Sequence, residues 1–111
     1  MIPVLRVARG SDDFAGVLRF YREGLGFTVL ARFVDHDGWD GLILGHARAP
    51  WHLEFTRHPD HPAQTPPGSD AHLVLDISEP DAFRHATTRM EAAGFASVPP
   101  LNPYWAERGR T

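Results

Sequence analysis

The residues of this chain best suited to chemistry are His52 and Glu54, two positions apart, with His72 and Arg6. Imidazole and carboxylate donors together suit a divalent ion such as Zn, Ni, Fe, Mn or Co. Such an ion would polarise two neighbouring oxygens of a substrate. Arg6 offers a planar fork of N–H donors that can either pair with Glu54 or hold an anionic group of a ligand. Trp39, Tyr104 and Trp105 can line a flat aromatic pocket or pack across subunits. The sequence has no Cys, so thiolate chemistry and disulfides are excluded. It also lacks a Gly-x-Ser-x-Gly elbow, a phosphate-cradling glycine loop and a His-Glu-x-x-His pair.

These side chains must be carried by short elements, because ten Gly and ten Pro interrupt the apolar stretches of 111 residues too often for a helical bundle. Residues 2–8 alternate as a strand, with Leu5 and Val7 on one face and Val4, Arg6 and Ala8 on the other. Ser11-Asp12-Asp13 supplies capping side chains for a helix whose apolar stripe is Phe14, Val17, Leu18, Tyr21 and Leu25. Gly24 and Gly26 end it. Strands follow over 27–34 and 39–46, joined by the turn Asp35-His36-Asp37-Gly38, and then over 51–56. A second round begins with a strand over 71–77, then a helix opened by Glu79-Pro80-Asp81 and ended by Gly94. A short strand over 95–98 is expected next, and 101–111 shows no periodicity.

Alternation sorts the candidates by face. Trp51, Leu53 and Phe55 point one way and His52 and Glu54 the other, while Leu73, Leu75 and Ile77 lie opposite His72, Val74 and Asp76. With the apolar faces under the helices, Arg6, His52, Glu54 and His72 are expected together on the open, concave face. His52 can serve as a substitute metal ligand or simply hydrogen-bond beside Glu54. His36, His46, His58, His61 and His85 fall in turns, connectors or a helix surface and are expected to be solvated. His58 and His61 have a ligand-like spacing, but their Pro-rich loop offers no rigid support.

The two rounds superpose at one constant offset, which brings Gly94-Phe95 over Gly26-Phe27, Asp81 over Asp13 and Leu73 over Leu5. A βα unit cannot bury its sheet alone and gains a core by pairing with a second copy. The expected organisation is one domain over 1–111, with a first βαβββ module at 1–57, a polar connector at 58–70 and a partial second module at 71–111.

Phe20-Tyr21-Arg22-Glu23-Gly24-Leu25-Gly26-Phe27 resembles the FY-x-x-x-LGF signature that closes the first helix in the vicinal-oxygen-chelate superfamily, which includes glyoxalases, bleomycin-resistance proteins and extradiol dioxygenases. His52-Leu53-Glu54-Phe55 and His72-Leu73-Val74-Leu75 resemble its fourth and fifth strands, and Asn102-Pro103-Tyr104-Trp105 a segment before its last hairpin. The resemblance runs over essentially the whole chain and implies an α+β fold of paired βαβββ modules, the second one incomplete here. It also implies metal ligands from the first and fourth strands of each half. Glu54 and His72 fit two of those positions, Val4 replaces a third, and the fourth falls past Thr111.

The resemblance therefore implies a small-molecule-binding domain, without a complete metal site in this chain, that uses Arg6, Trp39, His52, Tyr104 and Trp105. Its alternative is a divalent-metal-dependent lyase, isomerase or dioxygenase using Glu54 and His72. Incomplete sheets expose edges that invite pairing, so a homodimer or strand-exchanged association is expected. A net charge of -3 gives no case for nucleic acid or an anionic membrane surface. No stretch has the length of a membrane span, and a cytoplasmic setting is expected.

Overall fold

Leu42, Leu44, Leu53 and Phe55 form the buried apolar centre of the protein, and two adjacent strands supply all four. The computed structural model describes residues 1–64 and 68–111. Its elements are β1 (Leu5–Gly10), α1 (Phe14–Leu18) continuing into a wider π-helical segment (Arg19–Gly24), β2 (Thr28–His36), β3 (Trp39–Gly45), β4 (Trp51–Arg57), α2 (Pro80–Ala92) and α3 (Tyr104–Arg108). One four-stranded sheet has the order β1-β4-β3-β2. β1 runs parallel to β4, and the other two pairings are antiparallel. This is the βαβββ module expected of the first half.

Local chemistry explains the element ends. Asp13 accepts the Gly16 N–H at 2.8 Å and starts α1, which satisfies one of the donors a helix start leaves open. The helix then widens, with the Leu25 N–H reaching Phe20 O at 3.1 Å and the Phe27 N–H reaching Tyr21 O at 2.9 Å. Gly26, at φ +74, lets the chain leave in the left-handed conformation that side chains disfavour. The β2–β3 turn similarly needs positive φ at Asp35, Asp37 and Gly38, a cost Asp tolerates better than most residues. Asp40 steadies this turn by accepting the Asp35 N–H at 3.0 Å and pairing with Arg57 at 3.0 Å. The backbone donor first, and Arg57 second, hold the Asp40 carboxyl below its usual range.

α1 and the π-helical segment cover one sheet face. Phe14, Val17, Leu18 and Tyr21 pack with Val7, Phe27, Val29 and Trp51 around the buried four. Tyr21 lies 5.3 Å from Phe55, ring to ring. Burial pushes its phenol up, with Arg9 pulling in the opposite direction. Outside this layer, α2 docks on the π-helical segment: Met90 sits against Gly24, and Arg89 donates to Glu23 O at 3.1 Å and Arg22 O at 3.4 Å.

The α+β class expected from the pattern is the class observed, but the second half differs from its expected elements. Residues 71–78 make no sheet pairing among the described residues, and Leu73, Val74 and Leu75 stand 40%, 51% and 42% exposed. Alternation marks a segment able to become a strand, and only a ladder partner makes it one. Residues 95–98 likewise form no strand. Phe95 instead meets Phe20 edge-on at 4.9 Å, beneath Arg19. A helix, α3, stands where no periodicity pointed to one. β1 begins at Leu5 rather than Ile2, and Leu5 is 62% exposed while Val7 packs on the core. Of the connector at 58–70, residues 65–67 lie outside the described residues. The Ala63 N–H bonds Asp12 at 3.0 Å. Among the described residues, no helix is long and apolar enough to cross a membrane.

Candidate functional site

Register fixes what the uncovered sheet face carries. In the parallel β1–β4 pair, Arg6 lies beside His52 and Ala8 beside Glu54. Across β4, Ile43 faces Glu54 and Gly45 faces His52. Partners across a ladder share a face, so these six residues form one surface opposite the Leu42, Leu44, Leu53 and Phe55 layer. Gly45 keeps the floor low, and the space above it is flanked by Leu30 and the His52 ring, at 3.5 and 3.6 Å from where a Cβ would stand. At Gly41 the ring of Phe33, its partner on β2, fills the space a side chain would take.

Three polar groups meet at the β1–β4 side of this surface. Arg6 Nη1 donates to Glu54 Oε2 at 3.4 Å. A single long contact leaves the other N–H donors of Arg6 available, and its side chain is 48% exposed. Glu54, at 19%, is drawn further into the surface. His52 Nδ1 is buried and, among the described residues, has no hydrogen-bond partner. An unsatisfied buried nitrogen costs about 1–3 kcal/mol, so this atom marks where a further group would be stabilised.

The expected site residues separate into three places. Arg6, His52 and Glu54 come together. His72 lies in the unpaired segment 71–78, where it lines a crevice with Leu75, Asp76, Trp105 and Arg108. Tyr104 is 50% exposed and meets Trp105 edge-on at 4.9 Å. Trp39 lies at the β2–β3 turn, stacked on His61 at 5.7 Å and 4.9 Å from His58. The apolar walls at Leu30, Phe33 and Ile43, and the glycines beneath them, were not expected as site residues. Their signal is the alternation Gly41-Leu42-Ile43-Leu44-Gly45, which leaves one face of a central strand nearly bare.

The donor set can be tested against a divalent ion. No three His, Asp or Glu side chains converge among the described residues. Glu54 is engaged by Arg6, and His52 Nδ1 is without a hydrogen-bond partner among the described residues. Three or four ligands are the usual requirement, and these residues do not supply them by themselves.

Comparison with known proteins sets this geometry in a family. Residues 5–56 match the YycE-like N-terminal domain and residues 70–111 the YycE-like C-terminal domain. The uncharacterized protein YycE of Bacillus subtilis (strain 168) is 32% identical over 107 residues, which is 96% of this chain and 77% of that protein. The chain belongs to the YycE-like family. The YycE-like chain also superposes on a crystal structure of a YycE protein of unknown function from Bacillus subtilis, described as a candidate glyoxalase/fosfomycin resistance protein. The TM-score is 0.81 at 32% identity, over 92% of this chain and 74% of that one. The YycE-like chain therefore carries a glyoxalase-like domain of the vicinal-oxygen-chelate type.

Proposed function

We propose that this chain binds a small molecule on the sheet face that carries Arg6, His52 and Glu54. The observation that supports it best is the buried, unpartnered Nδ1 of His52 beside a loosely held Arg6. A ligand with an anionic group for Arg6, a hydrogen-bonding atom for His52 and an apolar body for Leu30, Phe33 and Ile43 would match the surface. The open site residues Trp39, Tyr104 and Trp105 are not needed for this reading. The test is calorimetric titration, with EDTA present, of a panel of aromatic and aliphatic carboxylates and phosphonates. A hydrogen bond to a charged group is worth about 1.5–3 kcal/mol, so His52→Ala and Arg6→Ala should each weaken the best binder by about 10- to 100-fold. A panel without a binder, or affinities indifferent to both substitutions, would sink the reading.

The second reading is a divalent-metal-dependent lyase, isomerase or dioxygenase. The free Nδ1 of His52 on the same face as Glu54 favours it, although His72 would have to join them. It predicts binding of Zn, Ni, Fe, Mn or Co that Glu54→Gln abolishes, measured by elemental analysis after reconstitution. Metal retained equally by that variant would count against it.

A further inference from the structure

β1 leaves one edge of the sheet without a ladder. The Leu5 N–H donates to Pro50 O at 3.0 Å, and the Ser11 N–H, just past the strand, donates to Thr56 O at 2.9 Å. Backbone groups of an extended strand alternate in direction, so those of Arg6 and Ala8 face away from β4. Among the described residues no strand pairs with that side, and Leu5, Arg6 and Ala8 are exposed. The register with β4 is unbroken from Leu5 to Gly10, and neither bulge nor Pro interrupts it, so the outer backbone is open to a further ribbon.

A second unpaired ribbon lies at 71–77. Residues 72–77 make no backbone hydrogen bond among the described residues, and Leu73, Val74, Leu75 and Ile77 are exposed. A crevice, not a ladder, lies between this segment and Trp105, Arg108 and Thr111. The segment leads straight into α2, which Arg89 and Met90 fasten to the π-helical segment, and within its own chain it stays unpaired. Charge distinguishes the two ribbons. Residues 1–10 carry Arg6 and Arg9 and no acid, whereas residues 70–79 carry Asp70, Asp76 and Glu79 and no Lys or Arg. Like charges set opposite one another destabilise a ladder and unlike charges stabilise it, so β1 favours the 71–77 ribbon over a copy of itself.

We infer that two copies of this chain associate by exchanged ladders, with residues 71–77 of each lying along the free edge of β1 in the other. The exchange is isologous, so one twofold axis satisfies both ribbons of both chains. Leu5 and Val7 then continue into the row of Leu73, Leu75 and Ile77, while Arg6 shares its face with Asp76. His72 arrives on that same face, so the second copy adds an imidazole to the surface that carries Arg6, His52 and Glu54.

The test follows the unaltered chain from about 5 to 500 µM, since association obeys mass action. Sedimentation equilibrium should give the mass of two chains at the upper end of the range. Val74→Pro combined with Leu75→Pro removes one N–H donor from each side of the segment; neither N–H is bonded among the described residues, so the circular dichroism of this variant should match that of the unaltered chain while its mass stays at one chain. Hydrogen exchange at the Arg6 and Ala8 amides should be slower in the associated chain than in the variant by at least about tenfold. One chain at every concentration, with or without protection of the 71–77 amides, would overturn the exchange. So would a dimer that the two prolines leave intact, or one whose Arg6 and Ala8 amides exchange as fast as those of the variant.

Discussion

Arg89 packs its guanidinium so close to Gly26 that a Cβ at Gly26 would stand 2.6 Å from Nη1. The same guanidinium donates to the carbonyls of Arg22 and Glu23 at the end of the π-helical segment. The end of the Leu25-Gly26-Phe27 motif is thus set twice, by its left-handed backbone and by the helix that docks on it.

Gly26→Ala should destabilise the protein by about 1–3 kcal/mol, because a side chain at positive φ is strained and Arg89 must withdraw from its carbonyls. Urea unfolding measures it. Combined with Arg89→Ala, the total should be less than the two single effects added together, since both changes undo one contact.

Leu44, next to the last residue of β3, is 0% exposed. Leu44→Ala should cost about 2–5 kcal/mol through lost burial and the cavity left behind, a large share of the roughly 5–15 kcal/mol that holds a domain together. Leu101, 61% exposed, provides the contrast: its change to Ala should move the urea midpoint little, within about 0.5 kcal/mol.

Asp40 makes stability depend on pH in a stated direction. Its carboxyl is depressed in the folded chain by the Asp35 N–H and Arg57, whereas an unfolded Asp titrates near about 3.9. The contribution is therefore present above that value and is lost as pH falls through the lower folded one. Asp40→Asn should be less stable than the unaltered chain at pH 7, with the difference closing as the pH falls below the ordinary Asp range and the depressed folded carboxyl takes its proton. Thermal melts of both proteins across that range would reveal it, and a difference that is constant with pH would refute it.

The first half was readable because each of its elements is specified locally. Leu53 and Phe55 alternate with His52 and Glu54, Asp13 precedes an apolar stripe, and Asp35 to Gly38 carry turn chemistry. All three patterns survive in the structure with ends shifted by a few residues. The π-helical widening at Arg19–Gly24 was not legible, since Phe14, Val17, Leu18, Tyr21 and Leu25 fit an α-helix equally well and the extra residue per turn leaves no mark on spacing. The segment 71–77 failed for a different reason. Leu73, Leu75 and Ile77 alternate properly, but pairing is a tertiary event that alternation does not encode. The site shows the same division: Arg6, His52 and Glu54 were placed by strand period and register, whereas His72 depended on a ladder that the described residues do not form. Trp39, whose type suits either a pocket lining or a contact between subunits, lies over His58 and His61, and composition marks that turn only as polar.

The parallel seam between β1 and β4 orders the birth of this module on the ribosome. The buried quartet belongs entirely to β3 and β4, and these two strands with β2 form a meander whose neighbours are joined by short turns, so loop closure there is cheap. β1 is made first, yet β4, its ladder partner among the described residues, follows only when Trp51 to Arg57 have emerged. Arg6 consequently cannot reach Glu54 before β4 has emerged, and the face proposed to bind a ligand depends on the same strand as the buried layer behind it.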